Sequence, residues 1–440
     1  MANNSINEAA KHHYNSVAGL DVGSLPPHSH QWAPILQAHA KFIQSCRSER
    51  QAMDFVLQTN NYDHRNKKHR PDFIFQYFEN ILYNLYPSFR DSIALISETP
   101  VSPQGSVVLN NPFYGCNRLV STTMYIHTAF MFSCLEYDSS VSRVCELGGG
   151  YGDIARIWMT NPIKPANFYM IVDAPESLFF AETFLRTVLP DTKLIYLTDE
   201  KDVQAALNTQ GEPLIVLCPL HLREVTKKFN FDIVINTLSL GEMTQEWVDL
   251  WSQWLAEQPA RIFYSSNTFG VELDRMFESG CLLSPVVPQN WVMTKYSLDH
   301  PYQAFWAEYT RRYAEIWFEK AKPGARQRVS LASALALREG SKFTVGDLIY
   351  FIYNLDAEVD AALESRIIKK FLADMPYVPK ELFFWVQRVA MSRGAEALDV
   401  GDREFIQGLR SRLAAVHAAQ KSNVVYAHEK KIIEPPVSMA

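Results

Sequence analysis

The sequence predicts an α/β fold, with a parallel sheet in the middle of the chain and helical regions before and after it. From residue 141 to about residue 270, short apolar runs such as NFYMIVDA and FDIVIN alternate with amphipathic runs such as ESLFFAETFLRTVL. Repeated strand–helix units of this kind form a parallel sheet that helices cover on both faces. Such sheets bind ligands at the carboxyl ends of their strands, so we expect the functional residues there.

Five regions follow one another along the 440 residues. Residues 1–30 end in the turn-rich SLPPHSH, and we expect them to be loosely ordered. Residues 31–135 carry helical periodicity and are expected to form a lid over the ligand edge of the sheet. The sheet domain is predicted at residues 136–325. Amphipathic segments predict a second helical region at residues 326–420, and residues 421–440 are expected to form a tail.

The individual elements follow from the same patterns. The runs WAPILQAHAKFIQSC, QAMDFVLQ and FIFQYFENILYNLY predict three helices, and TTMYIHTAFMFSCLEY predicts an apolar helix just ahead of the first strand, VSRVCEL. Within the sheet domain, KLIYL, LIVLC and ARIFYSS predict strands, whereas GDIARIWMT and TQEWVDLWSQWLAE predict helices. HPYQAFWAEYTRRYAEIWFEKA predicts a further helix.

The composition excludes several classes of protein. Hydrophobic residues make up 47% and charged residues 20% of the chain, which is ordinary for a globular protein. A net charge of −6 gives no basic field for a nucleic-acid backbone, so no nucleic-acid partner is expected. The six cysteines include no CxxC pair, which argues against a zinc cluster and a disulfide framework. Neither a signal peptide nor an apolar run of about 18 residues is present, so we expect no membrane span and a cytoplasmic location.

The segment CELGGGYGDIA places a carboxylate, Glu146, ahead of four glycines within five positions. Glycines between a strand and a helix let the backbone bend tightly and let a ligand lie against it. A plain tight turn needs only one or two glycines, so we favour a ligand site. A dinucleotide fingerprint does not fit, because Asp153 stands where its third glycine belongs and would repel a pyrophosphate. No GK[ST] follows, which excludes a P-loop.

Two further strand ends carry polar residues. Asp173 ends the next strand, 21 residues after Gly152, where an acid accepts hydrogen bonds from ribose hydroxyls. The alternative is that Asp173 caps the helix beginning near Pro175. The strand FDIVIN ends in Asn236 and continues as NTLSLGEM, which brings polar residues to the same edge. The alternative there is a polar loop in which Thr244 caps the next helix.

These motifs resemble those of a known family. The spacing ExGxGxG resembles the first motif of the class I S-adenosylmethionine (SAM) methyltransferases. ELGGGYGDIAR, IVDAPE and FDIVINTLSLGEM together, over roughly residues 100–270, resemble the sugar O-methyltransferase family of bacterial surface-polysaccharide clusters, and NNPFYG resembles a short element further upstream. The chain departs from that pattern at Gly241, where a bulkier residue is expected. The resemblance implies a Rossmann-like SAM-methyltransferase sheet and methyl transfer from SAM to a hydroxyl of a sugar or glycan.

The resemblance also implies a SAM site at the carboxyl ends of the strands. The cofactor-binding residues it implies are Glu146, Gly148, Gly149, Gly150, Tyr151, Gly152, Asp173 and Asn236. SAM carries positive charges and no phosphate. A carboxylate therefore suits its amino-acid end, and bare backbone lets its methionine part pack closely.

A sugar hydroxyl is a poor nucleophile, so we expect a general base. Glu242 is the first candidate, with the alternative that it holds a helix N-terminus or a backbone amide. His221 is the second, with the alternative that it flanks the adenine. His127 and Asn267 are candidates for the acceptor side, although His127 also fits a hydrogen-bonded core residue. NTLSLGEM provides one acid where Mg²⁺ needs two or three ligands, so no metal is expected.

Other functions remain open. A small-molecule or natural-product O- or N-methyltransferase would keep the same cofactor site and change only the acceptor. A non-catalytic SAM-fold assembly protein is a further alternative, against which the intact Glu146, glycines and Asp173 argue. The acidic balance disfavours an RNA methyltransferase. HRNKKHR at residues 64–70 fits a solvated loop better than an anion site. The outer helical regions could also form a homodimer interface.

Overall fold

The computed structural model describes residues 4–20, 25–29, 32–59, 72–99, 107–111, 116–209, 211–240, 243–269, 291–297 and 312–320. The described elements all belong to one compact unit, Met1–Pro323. The helical region predicted at residues 326–420, the tail at 421–440 and the basic run at 64–70 lie outside the described residues.

Helices and one hairpin precede the main sheet. Helices α1 to α6 span Asn4–Val17, Trp32–Ser45, Glu49–Thr59, Asp72–Leu85, Arg90–Leu95 and Thr122–Tyr137. Strands β1 (Val107–Asn111) and β2 (Cys116–Val120) pair antiparallel. The helices predicted between residues 32 and 137 are present. Helix α6 is buried on all sides from Thr122 to Leu135.

Strands β3 to β10 form the main sheet and span Arg143–Leu147, Phe168–Asp173, Lys193–Tyr196, Leu214–Pro219, Ile233–Thr237, Ile262–Phe269, Trp291–Ser297 and Arg312–Lys320. Their order is β5-β6-β4-β3-β7-β8-β10-β9. In this order, all neighbouring strands from β5 across to β8 pair parallel. Strand β10 pairs antiparallel with both of its neighbours, β8 and β9. Helices α7 to α10 span Asp153–Met159, Pro175–Val188, Glu200–Asn208 and Gln245–Glu257. The predicted α/β fold with a mainly parallel sheet is therefore confirmed.

The order of the strands locates the ligand edge. After β3 the chain passes to β4, β5 and β6 on one side of it, and then returns to form β7 on the other side. Open parallel sheets bind ligands outside the carboxyl ends of the strands, where the order reverses in this way. This switch point lies between β3 and β7, so the glycine turn after Leu147 opens directly onto it.

The prediction that residues 1–30 are loosely ordered is wrong for α1. Ala10, Tyr14 and Val17 recur at helical spacing and are buried. The ring of Tyr14 packs edge-on against Phe179 of α8, with the ring centroids 6.4 Å apart. This short apolar stripe is hard to recognise within the polar run NSINEAAKHHYNSV, because its partner surface is distant in the sequence.

The helix predicted over HPYQAFWAEYTRRYAEIWFEKA is also wrong where the structure describes it. Arg312–Lys320 is strand β10, which pairs with β8 on one side and β9 on the other. Its residues from Glu315 to Phe318 are buried consecutively, because a central strand is covered on both faces. A short aromatic run of this kind is compatible with either a helix or a buried strand, and here the sheet decides.

None of the described helices is both long and apolar enough to cross a membrane.

Candidate functional site

The glycine turn joins β3 to α7 at the switch point. Gly148 has a φ of +73°, and a Cβ atom built on it would lie 2.4 Å from Oγ of Ser239. Gly152 has a φ of +88° and precedes the first residue of α7, and its Cβ would lie 2.9 Å from Cδ1 of Leu185. Both positions therefore need glycine for their conformation and for the space around them.

Several backbone N–H groups of this turn are used within the protein. The N–H of Gly148 donates to the carbonyl of Val172 (2.9 Å), and that of Gly152 donates to the carbonyl of Gly149 (3.0 Å). The N–H of Gly150 donates to Oδ2 of Asp173 (2.8 Å). A turn that binds phosphate presents its N–H groups to the ligand, so these three groups do not form a phosphate cradle.

Asp173 lies at the end of β4, beside the glycine turn. Its Oδ1 accepts a hydrogen bond from the N–H of Ala174 (2.6 Å), while its Oδ2 accepts the one from Gly150. Desolvation raises the pKa of Asp173 to about 6, against the opposing effect of these hydrogen bonds. The side chain is therefore mostly ionised at neutral pH and is held in place by backbone donors on two elements.

A cavity of about 820 Å³, counted out to its open mouth, lies at this edge. One side, which we call the strand-end wall, consists of Gly148, Gly150, Tyr151, Val172, Asp173, Ala174, Ser177, Leu220 and Ser239. The other side, which we call the aromatic wall, consists of His28, Ser29, Trp32, Leu36, His39, Val56, Phe180, Met243, Trp247 and Trp251. Four predicted cofactor residues, Gly148, Gly150, Tyr151 and Asp173, thus meet at one cavity.

Sequence reasoning missed the whole aromatic wall. A signal exists in α2, where Trp32, Leu36 and His39 recur at helical spacing, and in α10, where Trp247 and Trp251 are four residues apart. Such stripes usually face a core, and the sequence alone does not distinguish a core from a ligand cavity.

Glu146 lies behind the turn and is not part of the cavity wall. Its Oε2 accepts a hydrogen bond from the hydroxyl of Tyr169 (2.7 Å), and a Cβ on Gly149 would lie 2.9 Å from the same oxygen. Its Oε1 has no hydrogen-bond partner among the described residues. Burial raises the pKa of Glu146 to about 8. A direct contact between Glu146 and a cofactor stays a prediction.

This raised pKa makes the stability of the protein depend on pH. The folded state keeps a proton on Glu146 that the unfolded chain releases near the ordinary pKa of 4.5. The resulting stabilisation is complete below that value and is lost as the pH rises through about 8. Glu146→Gln keeps an acceptor for Tyr169 but cannot ionise. Because one pKa unit corresponds to about 1.4 kcal/mol, we expect wild type to lose a few kcal/mol relative to Glu146→Gln between about pH 5 and pH 9.

Urea unfolding of both proteins across that range measures the difference. A constant difference in the free energy of unfolding would show that Glu146 is ionised throughout. Glu200→Gln, at an exposed position on α9, is the control: it keeps Glu146, so its stability should differ from that of wild type by a constant amount across this range.

Asn236 does not line the cavity, although the resemblance implies that it binds the cofactor. Its Nδ2 donates to the carbonyl of Leu147 (2.8 Å) and to Oγ of Ser239 (2.5 Å). Its Oδ1 accepts from the N–H of Leu240 (3.2 Å) and from Nδ2 of Asn267 (2.9 Å). All of its usual hydrogen-bonding capacity is therefore used within the protein. Asn236 positions the glycine turn against the loop after β7.

Removing this amide should be costly. We expect Asn236→Ala to lower the free energy of unfolding by about 2–4 kcal/mol, because the buried groups that it pairs lose their partner. Urea unfolding measures the loss, and Asn230→Ala, at an exposed position, should change the stability by less than about 0.5 kcal/mol. Equal stabilities of the two variants would contradict a positioning role for Asn236.

Asn267 and His127, the predicted acceptor-side residues, also lie outside the cavity wall. Asn267 bonds to Asn236 and to Oγ of Ser265 (2.9 Å). Nδ1 of His127 lies 2.6 Å from Oδ2 of Asp153, in a buried network with Arg156. Both residues therefore sit in the interior behind the site.

The same network corrects one sequence argument. Asp153 was expected to repel a pyrophosphate, but its Oδ1 accepts from Nε of Arg156 (2.6 Å), deep inside the protein. Burial alone would raise the pKa of Asp153, yet Arg156 and His127 hold it below its usual range. The internal pairing of the turn's N–H groups, and not the charge of Asp153, argues against a dinucleotide.

The two candidate bases have different outcomes. Glu242 lies outside the described residues. His221 lies in a 3₁₀ helix, Leu220–Lys228, and its neighbour Leu220 lines the cavity while His221 does not. Burial lowers the pKa of His221. Neither of its ring nitrogens has a hydrogen-bond partner in the described part of the chain. The expectation that the protein binds no metal stays a prediction. Among the described residues, no group of three or more His, Cys, Asp or Glu side chains could hold a metal ion.

No family model and no curated protein sequence matches the chain. Among solved structures, it is similar to magnesium protoporphyrin IX methyltransferase from Synechocystis PCC 6803 with bound S-adenosylhomocysteine (SAH). The identity is 13%, the match covers 48% of this chain and 91% of that one, and the TM-score is 0.29. It is also similar to the YcgJ protein of Bacillus subtilis (13% identity, 44% and 99% covered, TM-score 0.28). An arsenic(III) SAM methyltransferase from Chlamydomonas reinhardtii gives 14% identity, 41% and 63% covered, and a TM-score of 0.25. These likenesses assign no activity and no substrate.

Proposed function

We propose that the chain is a SAM-dependent methyltransferase that methylates a hydroxyl group. The observation that carries this proposal is the meeting of Asp173 and the glycine turn at one cavity on the switch point, with the N–H groups of Gly148, Gly150 and Gly152 paired inside the protein. A nucleoside cofactor without phosphates suits such a site. It needs a carboxylate for the ribose and bare backbone for close approach, and it does not need a phosphate cradle.

The residues of the strand-end wall fit SAM. A Cβ on Gly150 would meet no atom within 4 Å, so this part of the turn is open to a ligand. Asp173 would hold the ribose hydroxyls, and the backbone of Gly148 and Gly150 would lie against the methionine part. The unpaired Oε1 of Glu146 lies behind the turn. Burial keeps this carboxyl mostly protonated at neutral pH, and a cationic group of the cofactor placed near it would favour its ionised form.

SAM supplies a methyl group on a sulfonium sulfur, and in the overall reaction this carbon–sulfur bond is exchanged for a carbon–oxygen bond while the acceptor's proton passes to a base. The chain's own task is to orient the acceptor and to hold a base beside its hydroxyl. A positioned general base typically raises the reaction rate by about 10²–10⁴-fold. Glu242 and His221 stay the candidate bases. The low pKa of His221 favours its neutral, proton-accepting form.

The acceptor class has two candidates. The sequence resemblance favours a hydroxyl of a sugar or glycan. The aromatic wall favours the small-molecule alternative, because most of its side chains are apolar or aromatic. A cytoplasmic location and a homodimer stay predictions.

Calorimetry with SAM and SAH on the full chain tests the proposal. We expect micromolar binding, followed by methyl transfer from labelled SAM to one member of an acceptor panel. The panel should pair nucleotide sugars and glycosides with aromatic hydroxyl compounds and amines. Failure of the folded protein to bind either SAM or SAH would overturn the proposal.

A further inference from the structure

We infer that the aromatic wall is the acceptor site, and that it takes a small, flat, largely apolar molecule bearing a hydroxyl, and not a sugar. This inference rests on the proposed function, because it names the acceptor of the same site. It follows from the position, the packing and the polarity of the wall.

The wall and the cofactor residues come from different elements. The wall is built from the segments before α2 and α10 and from α2, α3, α8 and α10, whereas Asp173 and the glycines come from the ends of β3 and β4. With the strand-end wall occupied by SAM, the remaining side of the cavity is the one that faces these helices. An acceptor must share the cavity with the cofactor, because methyl transfer needs the reacting atoms in contact.

The wall presents flat faces that are fixed in place. The ring of His28 stacks on Trp247 with centroids 5.5 Å apart and an angle of 14° between the planes. The indole N–H of Trp247 donates to the carbonyl of Pro27 (3.1 Å), which anchors the segment before α2. On the other side, His39 packs edge-on against Phe180 at 5.0 Å. Rigid aromatic surfaces of this kind favour a planar ligand.

The wall offers few polar partners. No lysine or arginine occurs among the described residues that line the cavity, and Asp173 is their one carboxylate. A sugar brings several hydroxyls, each of which loses free energy if it is buried without a partner. A sugar nucleotide brings phosphates, which are usually bound by cations. The lining therefore disfavours both classes of acceptor.

Two polar atoms in the wall do lack partners. Nδ1 of His39 and Nε1 of Trp251 have no hydrogen-bond partner among the described residues. Both nitrogens are buried and are not exposed to the cavity, so they offer a ligand no polar contact. Burial lowers the pKa of His39 to about 4, so its ring is neutral at neutral pH and adds no charge to the wall.

The test uses the full chain saturated with SAH. A naphthol, methyl α-glucoside and UDP-glucose are each titrated by calorimetry and by tryptophan fluorescence. We expect the naphthol to bind and both sugars to fail. Trp32→Ala should weaken naphthol binding about fivefold, while Trp32→Phe, which keeps an aromatic face, should retain most of it. Ile35→Ala, on the exposed face of the same helix, is the matched control and should change nothing.

The outcomes separate the two proposals. Binding of a sugar without binding of the naphthol would overturn the acceptor class and leave the methyltransferase standing. Equal weakening of SAH and naphthol by Trp32→Ala, with Trp32→Phe normal, would show that the wall belongs to the cofactor site and would also overturn the inference. Absence of SAH binding in folded wild type would overturn the proposed function itself.

Discussion

Asp173→Ala is expected to weaken the binding of SAM and SAH by at least about tenfold, because hydrogen bonds to a charged group contribute about 1.5–3 kcal/mol each. In the structure, the carboxylate is already oriented by the N–H groups of Gly150 and Ala174. The hydroxyl of Ser177 also donates to this carboxylate, which leaves one further lone pair for a ribose hydroxyl. Calorimetry on both proteins measures the change in affinity.

Asp199→Ala is the matched control for this experiment. Asp199 also accepts two backbone hydrogen bonds, from the N–H groups of Lys201 and Asp202, but it caps α9 and does not line the cavity. Its removal should cost about 1 kcal/mol of stability and leave SAH affinity unchanged. If Asp173→Ala bound SAH as tightly as wild type, the assignment of Asp173 to the ribose would be wrong.

Gly148→Ala is expected to abolish measurable SAM binding and to destabilise the fold. The left-handed backbone costs roughly 1–2 kcal/mol for a residue with a side chain. The new methyl group would also lie 2.4 Å from Oγ of Ser239, so the loop after β7 must move. Such overpacking costs about 1–3 kcal/mol more. Thermal unfolding and calorimetry with SAH measure the two effects.

Gly211→Ala is the control that separates the cost of the left-handed backbone from the cost of the steric clash with Ser239. Gly211 has a φ of +78°, and a Cβ there would meet no atom within 4 Å, so only the backbone cost remains. Replacing Ser239 by glycine in the Gly148→Ala background removes both of the closest atoms and should restore part of the stability. Equal stabilities for Gly148→Ala and Gly211→Ala would refute the predicted collision.

The sheet could be predicted from the sequence because its parallel strands are buried on both faces and therefore read as short apolar runs. β4 and β6, for example, are buried along almost their whole length. The carboxyl ends of parallel strands meet at one edge, so the positions of Asp173 and the glycine turn followed from the strands alone.

The direction of individual side chains could not be predicted in the same way. Asn236 and Asp173 both end apolar strands, yet one bonds within the protein and the other lines the cavity. That difference depends on the neighbouring strands and on the loop containing Ser239. The aromatic wall was missed for a related reason, since Trp247 meets Pro27 from 220 residues away along the chain.

Helix α1 has a practical consequence for dividing the chain. Nδ1 of His13 lies 2.9 Å from Oε1 of Glu182, a fully buried carboxylate on α8, and α8 also carries Ser177 and Phe180 of the cavity. A fragment that begins at residue 136 would lack His13, so Glu182 would lose this partner, and the apolar face of α8 that packs on α1 would become exposed. The smallest autonomous SAM-binding fragment should therefore begin at the start of α1, and limited proteolysis should release no stable core that lacks it.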